Sequence, residues 1–258
     1  MTTNKPTFVL VPGGSQNPAQ YGYLLHLLQA AGYGATSALL PSLAPSDTVT
    51  AADDAEFIRS RMILPVLDIG KQDVILIMHS YSGMPGSAAA LGLGKSDRAI
   101  EGKSTSVIGQ IFIASIVPRG GDGLNIIDGF GGQLPPHMYI DREKNLVCCD
   151  DPKPWLFYDI LDELADGTTR GSLSHGLDVF TSPCPVASWK TEPFKDRVAY
   201  IHTLNDKAIP YEAQCAMVEA TGEKWITKEI KSGHSPQLGV PEELAKIILG
   251  ITEQITSL

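Results

Sequence analysis

The sequence predicts an α/β protein with a mostly parallel β-sheet, helices on both faces of the sheet and an inserted cap. Short runs rich in Val, Ile and Leu alternate with helical patterns along most of the chain. This alternation is typical of parallel strands that are buried on both faces. It breaks once, over residues 119–190, which is longer than an ordinary loop of a compact domain. We therefore expect a core formed by residues 1–118 and 191–258, with 119–190 as a cap or lid.

Each element of this architecture follows from a local pattern. The predicted strands are the apolar runs at 8–11, 35–40, 73–78, 106–114, 198–204 and 225–230. The predicted helices lie between them, at 18–31, 51–67, 83–92, 210–220 and 241–249. Pro210 and Pro241 open the last two helices and are each followed by polar residues that include Glu. Proline is tolerated at the first helical position, and a carboxylate there is stabilised by the helix dipole.

The segment 119–190 begins with glycine-rich turns and contains scattered prolines and aromatic side chains. Four of the aromatic residues are candidate walls of a substrate pocket: Phe157, Tyr158, Phe180 and Trp189. They equally fit a small core private to the segment. His137 and His175 are candidate polar contacts, and Ser15, after the first strand, is a further candidate for substrate binding.

Composition narrows the classes of partner. A net charge of −9 without a Lys/Arg cluster argues against a nucleic-acid partner. The sequence has no apolar stretch of membrane-spanning length and no signal-peptide pattern at its N-terminus, so we expect a cytoplasmic protein. Its four cysteines match neither a disulfide framework nor a zinc site. We expect free thiols, no cofactor or metal, a small-molecule substrate, and an oligomeric state that leaves a homodimer open.

The hexapeptide M-H-S-Y-S-G at 78–83 directly follows a buried strand and precedes a helix. Open α/β sheets bind ligands at this end of their strands. A sharp strand-to-helix turn would lift the hydroxyl of Ser80 into the crevice, and such turns need small residues two positions on either side of the serine. Ser82 is small, but Met78 is not. The hexapeptide alone fits a nucleophile elbow and a strand end capped by serines equally well.

A serine nucleophile needs a base, and the base needs an orienting acid. Asp206 follows the strand at 198–204, and His234 lies in the loop after the strand at 225–230. Ser80, Asp206 and His234 thus follow three separate parallel strands, in the chain order of elbow-type hydrolases. This coincidence predicts a catalytic triad. Asp122 and Asp128 are the alternative acids.

Stabilising the negative charge that develops on a carbonyl requires backbone N–H donors beside the nucleophile. The first strand ends in V-P-G-G-S-Q, a turn whose glycines let the backbone approach a ligand closely. The N–H groups of Gly14 and Tyr81 are the predicted oxyanion hole. Gly13 and Gly14 also fit simple turn positions.

The stretches F-V-L-V-P-G-G, M-H-S-Y-S-G, L-N-D-K-A-I-P and S-G-H-S-P resemble the α/β-hydrolase superfamily. The likeness is strongest to the compact branch of plant methylesterases and hydroxynitrile lyases, with its fungal relatives of secondary metabolism. It extends over about residues 7–250 and is weakest across 119–190, where the family carries its cap. The resemblance implies Ser80 as nucleophile, Asp206 as acid, His234 as base, and Gly14 with Tyr81 as oxyanion donors.

The sequence departs from the family pattern at several positions. Pro12 stands where the family usually has histidine, and Met78 where it has the first elbow glycine. The cyanohydrin lyases of the family carry a lysine directly after the catalytic histidine and a threonine near the oxyanion loop. This chain has Ser235 and Gly13 at those positions, so the resemblance points to hydrolysis or acyl chemistry rather than cyanide release.

Three functions remain open on the sequence. The first is a serine hydrolase that cleaves a small, largely apolar ester, lactone or thioester. The second is a lyase, C–C hydrolase or cyclase that acts on a polyketide-like metabolite with the same residues. The third is a ligand receptor that keeps the pocket without turnover.

Overall fold

The computed structural model describes residues 5–45 and 48–258. Nine strands are present in this part of the chain: β1 (Thr7–Val11), β2 (Gly34–Ser37), β3 (Val74–His79), β4 (Val107–Ile113), β5 (Tyr139–Asp141), β6 (Leu146–Cys148), β7 (His175–Gly176), β8 (Val198–Thr203) and β9 (Ile226–Ile230). Six of them form one sheet in the order β2-β1-β3-β4-β8-β9, with every neighbouring pair parallel. The predicted parallel sheet is confirmed.

The helices of the described residues are α1 (Gly22–Ala30), α2 (Ala51–Phe57), α3 (Gly83–Ala89), α4 (Lys95–Ile100), α5 (Ile126–Gly129), α6 (Lys153–Leu156), α7 (Asp162–Arg170), α8 (Leu177–Thr181), α9 (Tyr211–Ala220), α10 (Pro236–Gly239) and α11 (Pro241–Thr256). Short 3₁₀ turns lie at Pro18–Tyr21, Ser80–Ser82 and Glu192–Phe194. None of these helices is both long and apolar enough to cross a membrane.

The main sheet is buried on both faces because successive strand residues point to opposite sides. In β3, Ile75 and Ile77 pack with residues of α1 and α11 in one core cluster. Val74, Leu76 and Met78 belong to a second cluster, which includes residues of α2 and α3. The continuous apolar run of β3 is therefore explained by a helical layer on each face.

Two predicted helices differ from the observed ones for local reasons. The helix predicted at 18–31 begins as the 3₁₀ turn Pro18–Tyr21, where the Asn17 side chain caps the Ala19 N–H. The helix predicted at 51–67 continues from α2 into wider π-helical turns at Ile58–Ile63 and Pro65–Ile69. Pro65 has no N–H to donate to the preceding turn, which favours this change of helical register.

The chain between β4 and β8 contains α5 to α8 and a small antiparallel sheet of order β5-β6-β7. These strands of two or three residues leave no detectable period in the sequence, and none of them was predicted. An isolated bridge joins His175 of β7 to Leu43. This segment thus contacts the chain that follows β2, while its treatment as a separate cap with the bounds 119–190 stays a prediction.

Candidate active site

The turn after β3 has the geometry of a nucleophile elbow. Ser80 adopts a left-handed backbone conformation with φ 54°, which costs a non-glycine residue of order 1–3 kcal/mol. Its carbonyl oxygen accepts hydrogen bonds from the Ser115 hydroxyl at 2.6 Å and the Ile116 N–H at 3.1 Å. The chain after β4 therefore holds the strained turn in place.

Met78 fits this elbow because the small residue that the turn needs is on the facing helix instead. A Cβ added to Gly86 of α3 would lie 2.6 Å from the Met78 sulfur. A Cβ on Gly83 would lie 2.3 Å from the Ile116 carbonyl oxygen. The departure from the family's first glycine is thus compensated by Gly86, while Gly83 lets the helix approach the chain after β4.

Ser82, the other serine of the hexapeptide, has a structural environment. Its hydroxyl accepts the His79 N–H at 2.8 Å and lies 2.9 Å from the carbonyl oxygens of Val11 and His79. The residue is fully buried. A hydroxyl with these partners stabilises the turn and does not face a ligand.

The structure brings together the three side chains predicted as the triad. His234 Nε2 lies 2.8 Å from Ser80 Oγ, and His234 Nδ1 lies 2.8 Å from Asp206 Oδ2. Both distances are within the range for a nucleophile, a base and an orienting acid. This arrangement can transfer the serine proton to the imidazole while the carboxylate holds the ring.

Asp206 is kept ionised although it is buried. Burial by itself raises the pKa of a carboxyl group, but His234 and the surrounding hydrogen bonds outweigh it, so the pKa of Asp206 lies below its usual value. The N–H groups of Ala208 and Ile209 donate to Oδ1 at 2.8 and 2.9 Å, and the Thr203 hydroxyl donates to Oδ2 at 2.8 Å. The carboxylate can therefore stabilise an imidazolium on His234.

The alternative acids have local partners in their own turns. Asp122 Oδ1 accepts the Leu124 N–H at 3.1 Å. Asp128 is in the first turn of α5, where its carboxylate accepts the Asn125 N–H at 2.9 Å in a capping box. Both residues are exposed, and both stabilise turns in the same way as many surface aspartates.

A second histidine, His79, contacts the backbone of His234, the predicted base, and was not itself predicted. Its Nε2 donates to the His234 carbonyl oxygen at 2.7 Å, and its Nδ1 lies 2.7 Å from the Tyr21 hydroxyl. Burial lowers the pKa of His79 to about 3, so the ring is neutral. A Cβ on Gly13 would lie 2.6 Å from His79 Nδ1. Position 13 must therefore be glycine, because a side chain there would collide with the His79 ring. The only sequence feature that could have indicated a role for His79 is its position directly before Ser80.

The two predicted oxyanion donors lie beside Ser80. Gly14 and Tyr81 both line the cavity that Ser80 and His234 face, and a Cβ on Gly14 would lie 3.5 Å from that of Tyr81. The Tyr81 hydroxyl donates to Asp54 Oδ2 at 2.8 Å. Asp54 was not predicted, since it is distant in sequence and reads as an ordinary residue of a helix.

Asp54 gives a pH-dependent stability that can be measured. Burial raises the pKa of its carboxyl group from 3.8 to about 6. The folded state thus favours the protonated form of Asp54. The stability that this form contributes is fully present below pH 4. It is lost as the pH rises to about 6, which lowers the free energy of unfolding by roughly 3 kcal/mol. Chemical denaturation of Asp54→Asn should therefore show its free energy of unfolding rising relative to the wild type by that amount between pH 4 and pH 7.

Asp53→Asn is the matched control for this measurement. Hydrogen bonds from Thr50 lower the pKa of the exposed Asp53, so its stabilisation is lost as the pH falls, which is the opposite sign. If the free energies of unfolding of the wild type and Asp54→Asn changed with pH in the same way, the raised pKa of Asp54 would be contradicted.

The cavity in front of Ser80 has a volume of ≈ 80 Å³. Its apolar walls include Ile116, Ile126, Phe130, Met138, Phe180 and Ile209. Ser15, His137 and His175 also line it, as predicted for substrate contacts, although their roles stay a prediction. A second cavity of ≈ 220 Å³ shares the walls Ile116, Ile126 and Phe130.

Phe157 does not line this cavity, which corrects one predicted pocket wall. Its ring is fully buried in a small cluster with Leu156 and Ala165. Trp189 is a second correction: its indole N–H donates to the Pro118 carbonyl oxygen at 3.3 Å, and its ring lies 6.0 Å from that of Trp225. Both side chains pack against other residues of the protein. The sequence alone could not show whether an aromatic side chain packs against the protein or against a ligand.

Tyr158 is the third correction. Its hydroxyl donates to the Asn205 carbonyl oxygen, and Lys207 Nζ lies 3.7 Å from the centre of its ring. The neighbouring Asp159 accepts the Gly233 N–H. Tyr158 and Asp159 thus hold the loops that carry Asp206 and His234 instead of facing the cavity.

The residues and geometry above define an α/β hydrolase, and the whole chain agrees with that class. Residues 8–247 match the model of the alpha/beta hydrolase family, and the chain belongs to this family. The four cysteines are free, and the described residues contain no cluster of His, Cys, Asp or Glu suited to hold a metal ion.

Two relatives come from fungi. The chain is 28% identical over 259 residues to the probable hydrolase R7 of Phoma sp.. The aligned region covers 95% of this chain and 97% of the relative. It is 26% identical over 252 residues to the alpha/beta hydrolase nvfD of Aspergillus novofumigatus, with 95% of each chain covered. The resemblance to fungal α/β hydrolases is thereby confirmed.

Solved structures with the same fold include esterases. A pyrethroid hydrolase from Sphingobium faniae superposes with a TM-score of 0.72 at 19% identity, covering 96% of this chain and 97% of its own. Polyneuridine aldehyde esterase superposes with a TM-score of 0.73 at 22% identity, covering 96% and 99%. At these identities the likeness establishes the shared fold.

Proposed function

We propose that this protein is a serine hydrolase that cleaves a small, largely apolar ester, lactone or thioester. The observation that carries the proposal is the continuous hydrogen-bonded chain from Ser80 Oγ through His234 to Asp206, with both links at 2.8 Å. The membership in the hydrolase family and the hydrolases among the relatives support it.

In the proposed reaction, His234 Nε2 takes the proton from Ser80 as its oxygen attacks the substrate carbonyl. The N–H groups of Gly14 and Tyr81 stabilise the oxyanion, and Asp206 stabilises the imidazolium. His234 then gives the proton to the leaving group, which leaves an acyl group on Ser80. Water, activated by the same imidazole, attacks the acyl-enzyme and releases the acid.

The apolar walls support a substrate that is largely apolar. A cavity of ≈ 80 Å³ is smaller than the roughly 150 Å³ that accommodates benzene in an engineered protein core. A substrate larger than this would extend one arm past Ile116, Ile126 and Phe130 into the adjoining cavity of ≈ 220 Å³. We therefore expect short-chain aryl esters to be turned over, with the aryl group or the acyl chain in the second cavity.

Labelling with an alkyl fluorophosphonate tests the nucleophile. We expect the reagent to modify Ser80 and to leave Ser82 unmodified, because the Ser82 hydroxyl is buried and bonded to the backbone. Peptide mass spectrometry after digestion identifies the modified serine. Label on Ser82 without label on Ser80 would overturn the assignment.

The same approach separates the proposed hydrolase from the acid/base and receptor alternatives. Rapid acid quenching during turnover of an aryl ester should trap an acyl group on Ser80 of a hydrolase. Turnover of a metabolite without an acyl-enzyme would instead support a lyase or cyclase that uses His234 alone. Ligand binding without turnover of any ester would support a receptor.

A further inference from the structure

His175 is a buried histidine in the wall of the cavity with no role in the proposed triad. It lies on β7, opposite Val147 of β6, and only 1% of its surface is exposed to solvent. It lines the same cavity as Ser80 and His234. The rings of Tyr81 and Phe180 pack against it, with centroids 4.8 and 5.7 Å away.

Neither ring nitrogen of His175 has a hydrogen-bond partner among the described residues. Burial lowers the pKa of the ring to about 3, so it is neutral at ordinary pH. A neutral imidazole offers one donor and one acceptor. Burying both without partners is unfavourable, and groups of this kind in native proteins call for an explanation such as a ligand.

The position of the ring indicates which part of a ligand it would contact. A Cβ added to Gly14 would lie 3.2 Å from His175 Nε2, so this nitrogen is adjacent to the backbone of the proposed oxyanion loop. An oxygen bonded to Nε2 would therefore be close to Gly14, one of the two proposed oxyanion donors. Phe180, Ile126 and Met138 leave the other walls of the cavity apolar.

The chemistry of the cavity also constrains the charge of that oxygen. Neither Lys nor Arg is among the residues that line the cavity in the described part of the chain. A carboxylate or phosphate there would be buried without a cation to pair with it. A neutral imidazole instead suits a neutral hydroxyl or carbonyl oxygen.

We propose that His175 Nε2 hydrogen-bonds to an uncharged hydroxyl or oxo group that the substrate carries one or two carbons from its scissile carbonyl. The substrate class is thus an ester, lactone or thioester of a hydroxy or oxo acid with an otherwise apolar body. This inference rests on the proposed hydrolase function and names the substrate of that same site.

A matched pair of substrates tests the proposal. We expect kcat/KM for 4-nitrophenyl 3-hydroxybutanoate to exceed that for 4-nitrophenyl butanoate by about tenfold in the wild type, the value of one neutral hydrogen bond. His175→Phe keeps an aromatic ring but removes both nitrogens, so the two esters should be hydrolysed with equal kcat/KM. The ratio in the wild type should not change between pH 6 and pH 9, because the ring stays neutral.

Phe180→Leu is the control, since it alters the wall beside His175 without removing a polar group. It should change kcat/KM for both esters by the same factor. His175→Gln, which keeps a donor, should retain part of the preference and replaces His175→Phe if that variant does not fold. Equal rates for the two esters in the wild type, or an unchanged preference in His175→Phe, would overturn the role of His175.

Binding separates a failure of this inference from a failure of the proposed hydrolase. Ser80→Ala should bind ethyl 3-hydroxybutanoate about tenfold more tightly than ethyl butanoate in a ligand-observed NMR titration, whether or not the wild type turns over esters. Absence of ester hydrolysis and of fluorophosphonate labelling would refute the hydrolase alone. Equal binding of the two ethyl esters would refute the role of His175 alone.

Discussion

Replacing Ser80 by alanine should lower kcat for an aryl ester by about four orders of magnitude or more. The variant lacks the oxygen that His234 activates, and only the oxyanion donors and substrate binding remain to accelerate the reaction. The fold should be retained, because the Ser80 side chain makes its described hydrogen bond only to His234, whereas the Ser80 carbonyl oxygen holds the turn. Stopped-flow or steady-state kinetics, with circular dichroism as a check of folding, measure both effects.

Ser82→Ala is the matched control in the same turn. Its hydroxyl bonds to Val11 and His79 rather than to His234, so its loss should reduce stability by roughly 1–3 kcal/mol while most of kcat is retained. If Ser80→Ala kept more than a hundredth of the wild-type rate, or if Ser82→Ala abolished it, the elbow serine would be wrongly assigned.

Asp206→Asn should lower kcat by about 10⁴-fold with His234 still in place. If the NH₂ group of the introduced amide faces His234 Nδ1, the imidazole is held in the wrong tautomer. If the amide oxygen faces Nδ1, the imidazole loses the negative charge that stabilises its protonated form. KM should change little, since Asp206 is not among the residues that line the cavity. The effect is measured by the kcat of purified variants on an aryl ester.

The pH dependence of stability gives a second readout of the same residue. The pKa of Asp206 is lowered in the folded protein, so the stability that it contributes is present above pH 4 and is lost as the pH falls below that value. Asp206→Asn should remove this part of the acid sensitivity. Denaturation curves of the wild type and the variant, compared from pH 2 to pH 6, test the sign.

Asp122→Asn and Asp128→Asn are the controls, since both residues are exposed and cap local turns. Each should retain nearly all of the activity. Near-normal kcat in Asp206→Asn, together with loss of activity in either control, would transfer the role of the acid to the segment after β4.

The fold class could be predicted because it depends on local patterns. Strands β3 and β8 begin with the apolar runs V-I-L-I-M and V-A-Y-I, and the spacing of such runs by helices implies a parallel sheet. Parallel strands bring their carboxyl ends to one edge, so residues following three strands are expected to meet there. That is why Ser80, Asp206 and His234 could be proposed as neighbours although up to 154 positions separate them.

Other parts of the site could not be predicted because their partners are distant and their residue types are common. Asp54 reads as an acidic residue in the first turn of a helix, and only the tertiary structure places it against the Tyr81 hydroxyl. Phe157 and Trp189 have the composition of pocket walls, yet both pack into cores. An aromatic side chain gains as much from burial against protein as against a ligand, so its type does not reveal its partner.

Periodicity and chain order alone predicted an α/β fold with a serine, an aspartate and a histidine at one edge of a parallel sheet, and the resemblance of four short motifs indicated the α/β-hydrolase family. These features follow from backbone geometry, which repeats over short distances and needs no knowledge of distant contacts. The tertiary structure decided which side chains enclose the cavity, that Met78 is accommodated by Gly86, and that His175 faces Gly14. Such contacts depend on the path of an irregular segment across the sheet, and side-chain packing between distant segments leaves no periodic signal in the sequence.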